Sequence, residues 1–316
     1  MTTRRNSSDM LNRLLRPAAL LAAAGAITLL ATACGSGGSS PAPGGGAPAY
    51  PALVSSPACM QLRSQNPDLN GKTLTDAINP HTPGYESISV NDPTKYEGFD
   101  IDLAEAMGEC LGFTVDYLPV AFDALLPTLQ SGQANFIVSD IYATKERAAS
   151  ADFITYSKVF DGVLVAAGNP KKITGIDDSL CGTTTALNKG FVEVPLVNAQ
   201  NTTCQSKGKP QAQTALFDNN ADCEQAILSG RADAYINDVN TVNRFVKDQS
   251  DKLARATTLT LPYSIGIAVP KGQTPIRNAF TAALTQIQTS GLQTQLAQKW
   301  QLDQSAIQAP SLVTAS

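Results

Sequence analysis

The side chain best suited to hold a small anion is that of Arg147, whose planar guanidinium presents a fork of donors matching a carboxylate. It closes the stretch 135–147, Asn-Phe-Ile-Val-Ser-Asp-Ile-Tyr-Ala-Thr-Lys-Glu-Arg, which also holds Ser139, Asp140, Tyr142 and Thr144. Residues 136–138 read as a short buried strand opening into a polar turn. Ligands of open α/β sheets lie outside the carboxyl ends of strands, where loops and helix N-termini converge. A hydroxyl and free backbone N–H groups beside Arg147 would complete an anion cradle.

The local pattern occurs twice. Leu129-Gln130-Ser131-Gly132-Gln133-Ala134 leads after five residues to Asp140, and Leu228-Ser229-Gly230-Arg231-Ala232 leads after five residues to Asp238. Each is a helix stopped by Ser-Gly, a short strand, and an aspartate at the strand's carboxyl tip. Matching acidic tips suggest two lobes facing one another across a cleft; chance likeness of two helix–strand units is the alternative.

The chain has 316 residues, room for two modest domains. At 43% apolar and 16% charged it can bury a core. A net charge of −4 and a pI near 5.1 argue against nucleic acid as a partner, which needs a basic face. The leader, with Arg4, Arg5, Arg13 and Arg16 against Asp9, hides part of that acidity.

Residues 1–33 have this basic start and an apolar run over 18–30, too short for a comfortable membrane span and suited to a secretion signal. The run ends Leu30-Ala31-Thr32-Ala33-Cys34-Gly35-Ser36. Ala31 and Ala33 fit a cleavage site, while the approach to Cys34 resembles a lipobox, with Ala31 where that motif usually has Leu. Lipidation of Cys34 is expected, with plain secretion as the alternative. Residues 34–57, rich in Gly, Ser, Pro and Ala, read as a flexible tether.

Beyond the tether, 72–78 reads as a strand and 79–89 as a polar loop carrying His81 and Tyr85. A helix is expected over 98–112, capped by Asp100 or Asp102 and stopped by Gly112, with Leu103, Ala106, Met107, Cys110 and Leu111 on one face. A strand over 113–118 and a helix over 122–130 follow. The β-rich runs 161–167 and 264–269 are candidates for strands beside two interlobe crossings. Within 177–189 a strand runs into the turn at Gly190 and a helix, whose N-terminus is another place for an anion. Residues 279–296 form an amphipathic helical region broken near Gly291. Trp300 is a packing anchor, and the tail after Asp303 carries no signal.

Several of these segments resemble the family 3 extracellular solute-binding proteins, the polar amino-acid receptors of ABC importers. The residues are Gly98-Phe99-Asp100-Ile101-Asp102-Leu103, Phe122-Asp123-Ala124-Leu125-Leu126-Pro127, Leu129-Gln130-Ser131-Gly132, and Thr144-Lys145-Glu146-Arg147-Ala148 followed by Asp152-Phe153. Leu228-Ser229-Gly230-Arg231-Ala232-Asp233-Ala234, Gly266-Ile267-Ala268-Val269-Pro270-Lys271-Gly272 and Lys299-Trp300 continue it, so the likeness spans roughly 70–302.

The resemblance implies an α/β, two-lobed clamshell of the type II periplasmic-binding-protein kind with two crossings. Lobe 1 would be 58–157 plus 264–316, lobe 2 158–263. It implies a monomeric lipoprotein on the outer face of the cell membrane that captures a polar amino acid and hands it to an ABC permease, without cofactor or catalysis. Arg147 would grip the α-carboxylate, helped by backbone N–H groups around Tyr142 and Gly190-Phe191. Asp238 would take the α-ammonium, and Tyr85 and Phe122 would sandwich the side chain, with Thr144 in the same turn. A dehydratase of the prephenate or arogenate type on the same fold is the alternative.

Two positions depart from the family pattern: Asp140 stands where Gly or Ser is usual, and Tyr142 where Thr or Ser is usual. The missing hydroxyl weakens the carboxylate cradle, and the added carboxylate favours a ligand with a second positive charge. An unpaired buried carboxylate is costly, so Asp140 needs Lys189, Arg147 or the ligand as partner, unless it is solvated or caps a turn.

Of six cysteines, five remain if Cys34 is acylated, and export allows disulfides. Relatives with a pair at the spacing of Cys181 and Cys204 suggest a bridge there, with Cys204–Cys223 as the alternative. Cys59 could reach Cys110. No metal-ligand cluster is spaced in the sequence. His81, the one histidine, reads as a loop residue lining the cleft or solvated, and as a general base only in the enzyme alternative.

Overall fold

The computed structural model describes residues 48–315, so the expected signal, Cys34 and most of the expected tether lie outside the described residues. The fold takes up the chain before residue 58. The N–H groups of Ala49 and Tyr50 donate to the Glu109 carboxylate at 2.6 and 2.9 Å. A helix follows at Pro51–Val54 with Leu53 buried, because Tyr50 and Leu53 give this stretch apolar surface to place on the core.

The strand Thr73–Ile78 pairs in parallel with Thr114–Pro119. Residues 136–138 continue this layer through single bridges rather than as a full strand: Phe136 to Asp76, and Ile137 to Ala268. The Val138 N–H goes to the Asp76 carboxylate at 2.9 Å instead of a backbone carbonyl, which interrupts the ladder. Beyond Ala268 lie two long antiparallel strands, Ala151–Ala166 and Leu253–Pro270. Their far halves join a second layer with Ala234–Asp238, Thr184–Asn188 and Gln213–Phe217. The two β-rich runs are thus parts of two strands that each run through both lobes, giving two crossings. Between Thr260 and Ser264 the pairing slips, leaving residues 261–263 out of register; Pro262 there has no N–H to give.

Separate cores flank that slip. On one side, Phe99, Leu103, Met107 and Leu111 pack with Phe113, Phe136, Phe280 and Leu284. On the other, Val163, Val165, Leu187, Val197 and Ile236 form one cluster, and Leu164, Tyr235 and Phe245 another. The tail without a sequence signal forms the strand Ile307–Val313 against Ala151–Ala166. Pro310 lies where its register shifts, at an edge where a missing donor is tolerated.

The helix Phe99–Leu111 starts from Gly98, not from a capping aspartate. Asp100 falls on its apolar stripe and is fully buried. Gly112 ends the helix in the left-handed conformation, as does Gly291 between Thr274–Thr289 and Leu292–Lys299. Disulfides join Cys59 to Cys110 and Cys181 to Cys204, and Cys223 is a buried thiol, so the Cys204–Cys223 alternative does not form.

Gly98 has φ +147°, and a Cβ there would collide with the Tyr85 carbonyl and come 2.8 Å from Glu86 Cα. Gly98→Ala should therefore cost about 2 kcal/mol or more in urea unfolding. Gly132→Ala, at φ +76° with open space around it, should cost only about 1 kcal/mol.

Candidate functional site

The turn after residue 138 is held from beneath by buried acids. Ser139 Oγ accepts the Asn79 N–H at 2.8 Å and donates to Glu86 Oε1 at 2.8 Å. The Asp140 N–H donates to Asp100 Oδ2 at 2.6 Å, and the Tyr156 hydroxyl donates to Asp100 Oδ1 at 2.6 Å. Asp140 adopts φ +42°, a left-handed conformation that glycine takes without strain and aspartate tolerates better than most residues. Next, Tyr142–Ala143 pairs with Ser264 and Ile265 of the long strand, and Thr144 Oγ1 accepts the Arg147 N–H at 3.1 Å.

Arg147 then reaches across the cleft. Its guanidinium donates to the Tyr142 carbonyl at 2.8 Å and to the Gly190 carbonyl of the opposite lobe at 2.9 Å. It stands 5.2 Å from the centre of the Phe122 ring, which meets Phe191 at 4.1 Å between centroids. Phe122, Asp140, Tyr142, Arg147, Phe191, Val192 and Glu193 line a narrow gap with no room for a water molecule. A groove of about 1010 Å³ borders it, lined among others by Thr144, Arg147, Gly190 and Tyr263.

Behind this space the cleft is acidic. Asp238, at the tip of its strand, caps the helix Val239–Asp248 by accepting the Asn240 N–H at 2.8 Å. Asn240 Nδ2 also donates to the Tyr85 hydroxyl at 3.2 Å, joining the lobes. Tyr142 donates its hydroxyl to Asp161 at 3.0 Å. Asp161 and Glu193 lie within hydrogen-bonding reach: burial and then Glu193 raise the Asp161 pKa, while burial raises that of Glu193 against the hydrogen bond from Asp161. Burial raises the pKa of Asp140, with Asp238, Asp100, Asp161 and Glu193 adding to the rise. Burial likewise raises Glu86 and Asp161. Asp238 is pushed up to about 7 by burial, against the hydrogen bond from the Asn240 N–H. Asp100 is raised to about 6 by burial, against those from Tyr156 and Asp140.

Asp140, Tyr142, Thr144, Arg147, Phe122, Gly190, Phe191, Tyr85 and Asp238 are thus gathered around one interlobe cleft. Lys189 is not: it is exposed and bonds Asp218 at 2.6 Å, so it does not serve Asp140. The Tyr85 ring meets Phe99, and the Phe122 ring meets Phe191. His81 is exposed in a short strand paired with Ser87. Sequence reasoning missed Glu86, Asp100, Tyr156, Asp161 and Glu193. The available signal was an acid in an apolar pattern: Asp100 lies in phase with Leu103 and Met107, and Asp161 opens a β-rich run. Among the described residues there is no metal-binding cluster and no helix long and apolar enough to cross a membrane.

In the unfolded chain these carboxyls lose their protons near pH 4. Folded, Asp100 and Asp238 keep theirs to about 6 and about 7. The native state therefore binds more protons between those limits, and stability falls as pH rises through them. Calorimetry of the unliganded protein should show Tm decreasing from about pH 4.5 to about pH 7.5; a rising Tm would contradict the buried-acid cluster.

Residues 74–303 match the bacterial extracellular solute-binding proteins, family 3. The chain is 28% identical over 211 residues to the ABC transporter glutamine-binding protein GlnH of Bacillus subtilis, covering 65% of this chain and 72% of that one. It is also similar to an ancestral arginine-binding protein bound to arginine, at 26% identity and TM-score 0.66, over 73% of this chain and 99% of that one. An ancestral arginine-binding protein bound to glutamine matches with 26% identity and TM-score 0.65, over 72% of this chain and 97% of that one. With the two-lobed α/β periplasmic-binding-protein fold and the family match together, the chain belongs to the family 3 bacterial extracellular solute-binding proteins.

Proposed function

We propose that the cleft captures a polar amino acid outside the cytoplasm and delivers it to an ABC permease. The observation that supports this reading is that Arg147 and Asp238, opposite in charge, both lie near Asp140 and Tyr142. Relatives whose names give glutamine or arginine as ligand support it. An α-carboxylate would take over the guanidinium donors that Arg147 now gives to the Tyr142 and Gly190 carbonyls. An α-ammonium would let Asp238 ionise by offsetting its buried charge.

Ligand pockets usually measure roughly 300–1,000 Å³, whereas the gap beside Arg147 has no room even for a water molecule. Entry therefore needs the lobes to part. The out-of-register residues 261–263 support a hinge there and a division near 158 and 264. Contacts made only in the shut form, such as Arg147 to Gly190 and Asn240 to Tyr85, set the balance between open and closed. The permease would read the closed shape. Cys34, diacylated after signal removal, would anchor a monomer to the outer face of the membrane.

Calorimetry against a panel of amino acids tests the reading. Arg147→Ala and Asp238→Ala should each weaken binding by at least about 2 kcal/mol, roughly 30-fold; parental affinity in both would end it. For the anchor, Cys34→Ser should move the protein from the membrane fraction to the medium, and unchanged membrane association would argue against lipidation.

A further inference from the structure

We infer that Asn240 is a positioning residue for the binding cleft, and that its helix face latches onto residues 300–303 of the other lobe, so that ligand affinity depends on contacts outside the cleft. The inference rests on the amino-acid reading above and adds to it how Asp238 is aimed.

Asn240, Arg244 and Lys247 fall at i, i+4 and i+7 of the helix Val239–Asp248 and so share one face. Each meets the turn that follows Leu292–Lys299 in the other lobe. Asn240 Oδ1 accepts the Asp303 N–H at 2.9 Å, Arg244 donates to the Trp300 carbonyl at 3.3 Å, and Lys247 donates to Gln301 Oε1 at 2.8 Å. Arg244 also adjoins Gly84, where an added Cβ would come within 3.0 Å of its guanidinium.

The turn is fixed to its own lobe. Lys299 and the Trp300 indole N–H both donate to Asp102, at 2.7 and 2.5 Å. The Leu302 N–H closes the helix end on the Ala297 carbonyl at 2.8 Å, and the Leu302 side chain joins the first core. Farther on, Ile307–Val313 pairs with Ala151–Ala166. The second lobe's helix therefore seats against a rigid surface.

Asn240 converts that seating into geometry at the site. A backbone N–H can only donate, so the Asp303 N–H requires the oxygen end of the Asn240 amide. The amide nitrogen then points the other way, where it donates to Asp238 Oδ1 at 3.0 Å and to the Tyr85 hydroxyl at 3.2 Å. All three contacts hold the Asp238 carboxylate in one direction while the lobes are shut. With the lobes apart, the constraint from Asp303 is gone.

Gln301 fits the same role. It follows its helix at φ +58°, a left-handed conformation usually given to glycine at this place. Glutamine there costs stability, and its side chain reaches Lys247 across the lobes.

Calorimetry with the tightest-binding amino acid of the panel tests this. Asp303 has φ −69°, which proline adopts. Asp303→Pro deletes the N–H and Asp303→Ala keeps it, while both remove the same carboxylate. Asp303→Pro should bind about tenfold more weakly than Asp303→Ala. Gln301→Gly should weaken binding about threefold while Tm stays level or rises; a purely structural role would move Tm and not affinity. Lys247→Met should match it, and the double variant should be no weaker than either single one. Lys252→Met, which removes a charge paired within the second lobe, should bind as the parent does. Equal affinities for the two Asp303 variants, or parental affinity in both Gln301→Gly and Lys247→Met, overturn the latch. If no amino acid binds, the amino-acid reading fails on its own account. Hydrogen exchange at the Asp303 amide of the unliganded protein then decides: protection that Asn240→Ala removes upholds the latch, and exchange at the rate of an exposed amide overturns it.

Discussion

Carboxyl groups of like sign are held out of water between two lobes, with one guanidinium among them, and much of the arrangement answers to that constraint. Coulomb repulsion that water would screen acts with far greater strength in a drier interior. The acids respond by keeping protons well above their usual range and by drawing on every nearby donor. Asp100 collects a backbone N–H and a tyrosine hydroxyl, Asp238 collects the first turn of a helix, and Asp161 takes the Tyr142 phenol. Arg147 ties the lobes together through backbone carbonyls rather than through any of the acids.

The scaffold delivers these groups by simple means. Two long strands pass through both lobes, so the lobes share a sheet whose pairing slips between Thr260 and Ser264. Site residues come from element ends: a turn after bridging residues, a strand tip, a helix start. Both disulfides lie within one lobe or the other, Cys59–Cys110 beside the first core and Cys181–Cys204 in the second.

Much of this was legible in the chain. The repeated helix-stop, short strand and aspartate located both acidic tips, and Arg147 stood out because few residues suit a carboxylate so well. Gly112 and Gly291 stop helices where the pattern said they would, as backbone conformation at a glycine is a local property. Where local rules competed with distant partners, the reading slipped. Asp100 looked like a cap because aspartate favours that place, but Asp140 and Tyr156, brought in from later segments, gave its carboxylate better donors. The strand after Asp303 had no readable pattern because an edge partner with a proline depends on what it lies against. Lys189 looked available to Asp140 through sequence proximity to Gly190, and instead turned outward to Asp218.

The sequence by itself determined the periodicities, the stops, the family pattern and two charged residues of opposite sign at the ends of comparable units. These follow from short-range sterics and from side-chain chemistry, which a chain carries wherever it goes. Only the tertiary structure decided which acids are buried together. Glu86, Asp100, Asp140, Asp161, Glu193 and Asp238 come from distant parts of the chain, and each alone reads as an ordinary solvated carboxylate. Their protonation, mutual repulsion and lack of donors arise from proximity and exclusion of water, which exist once both lobes have folded and met.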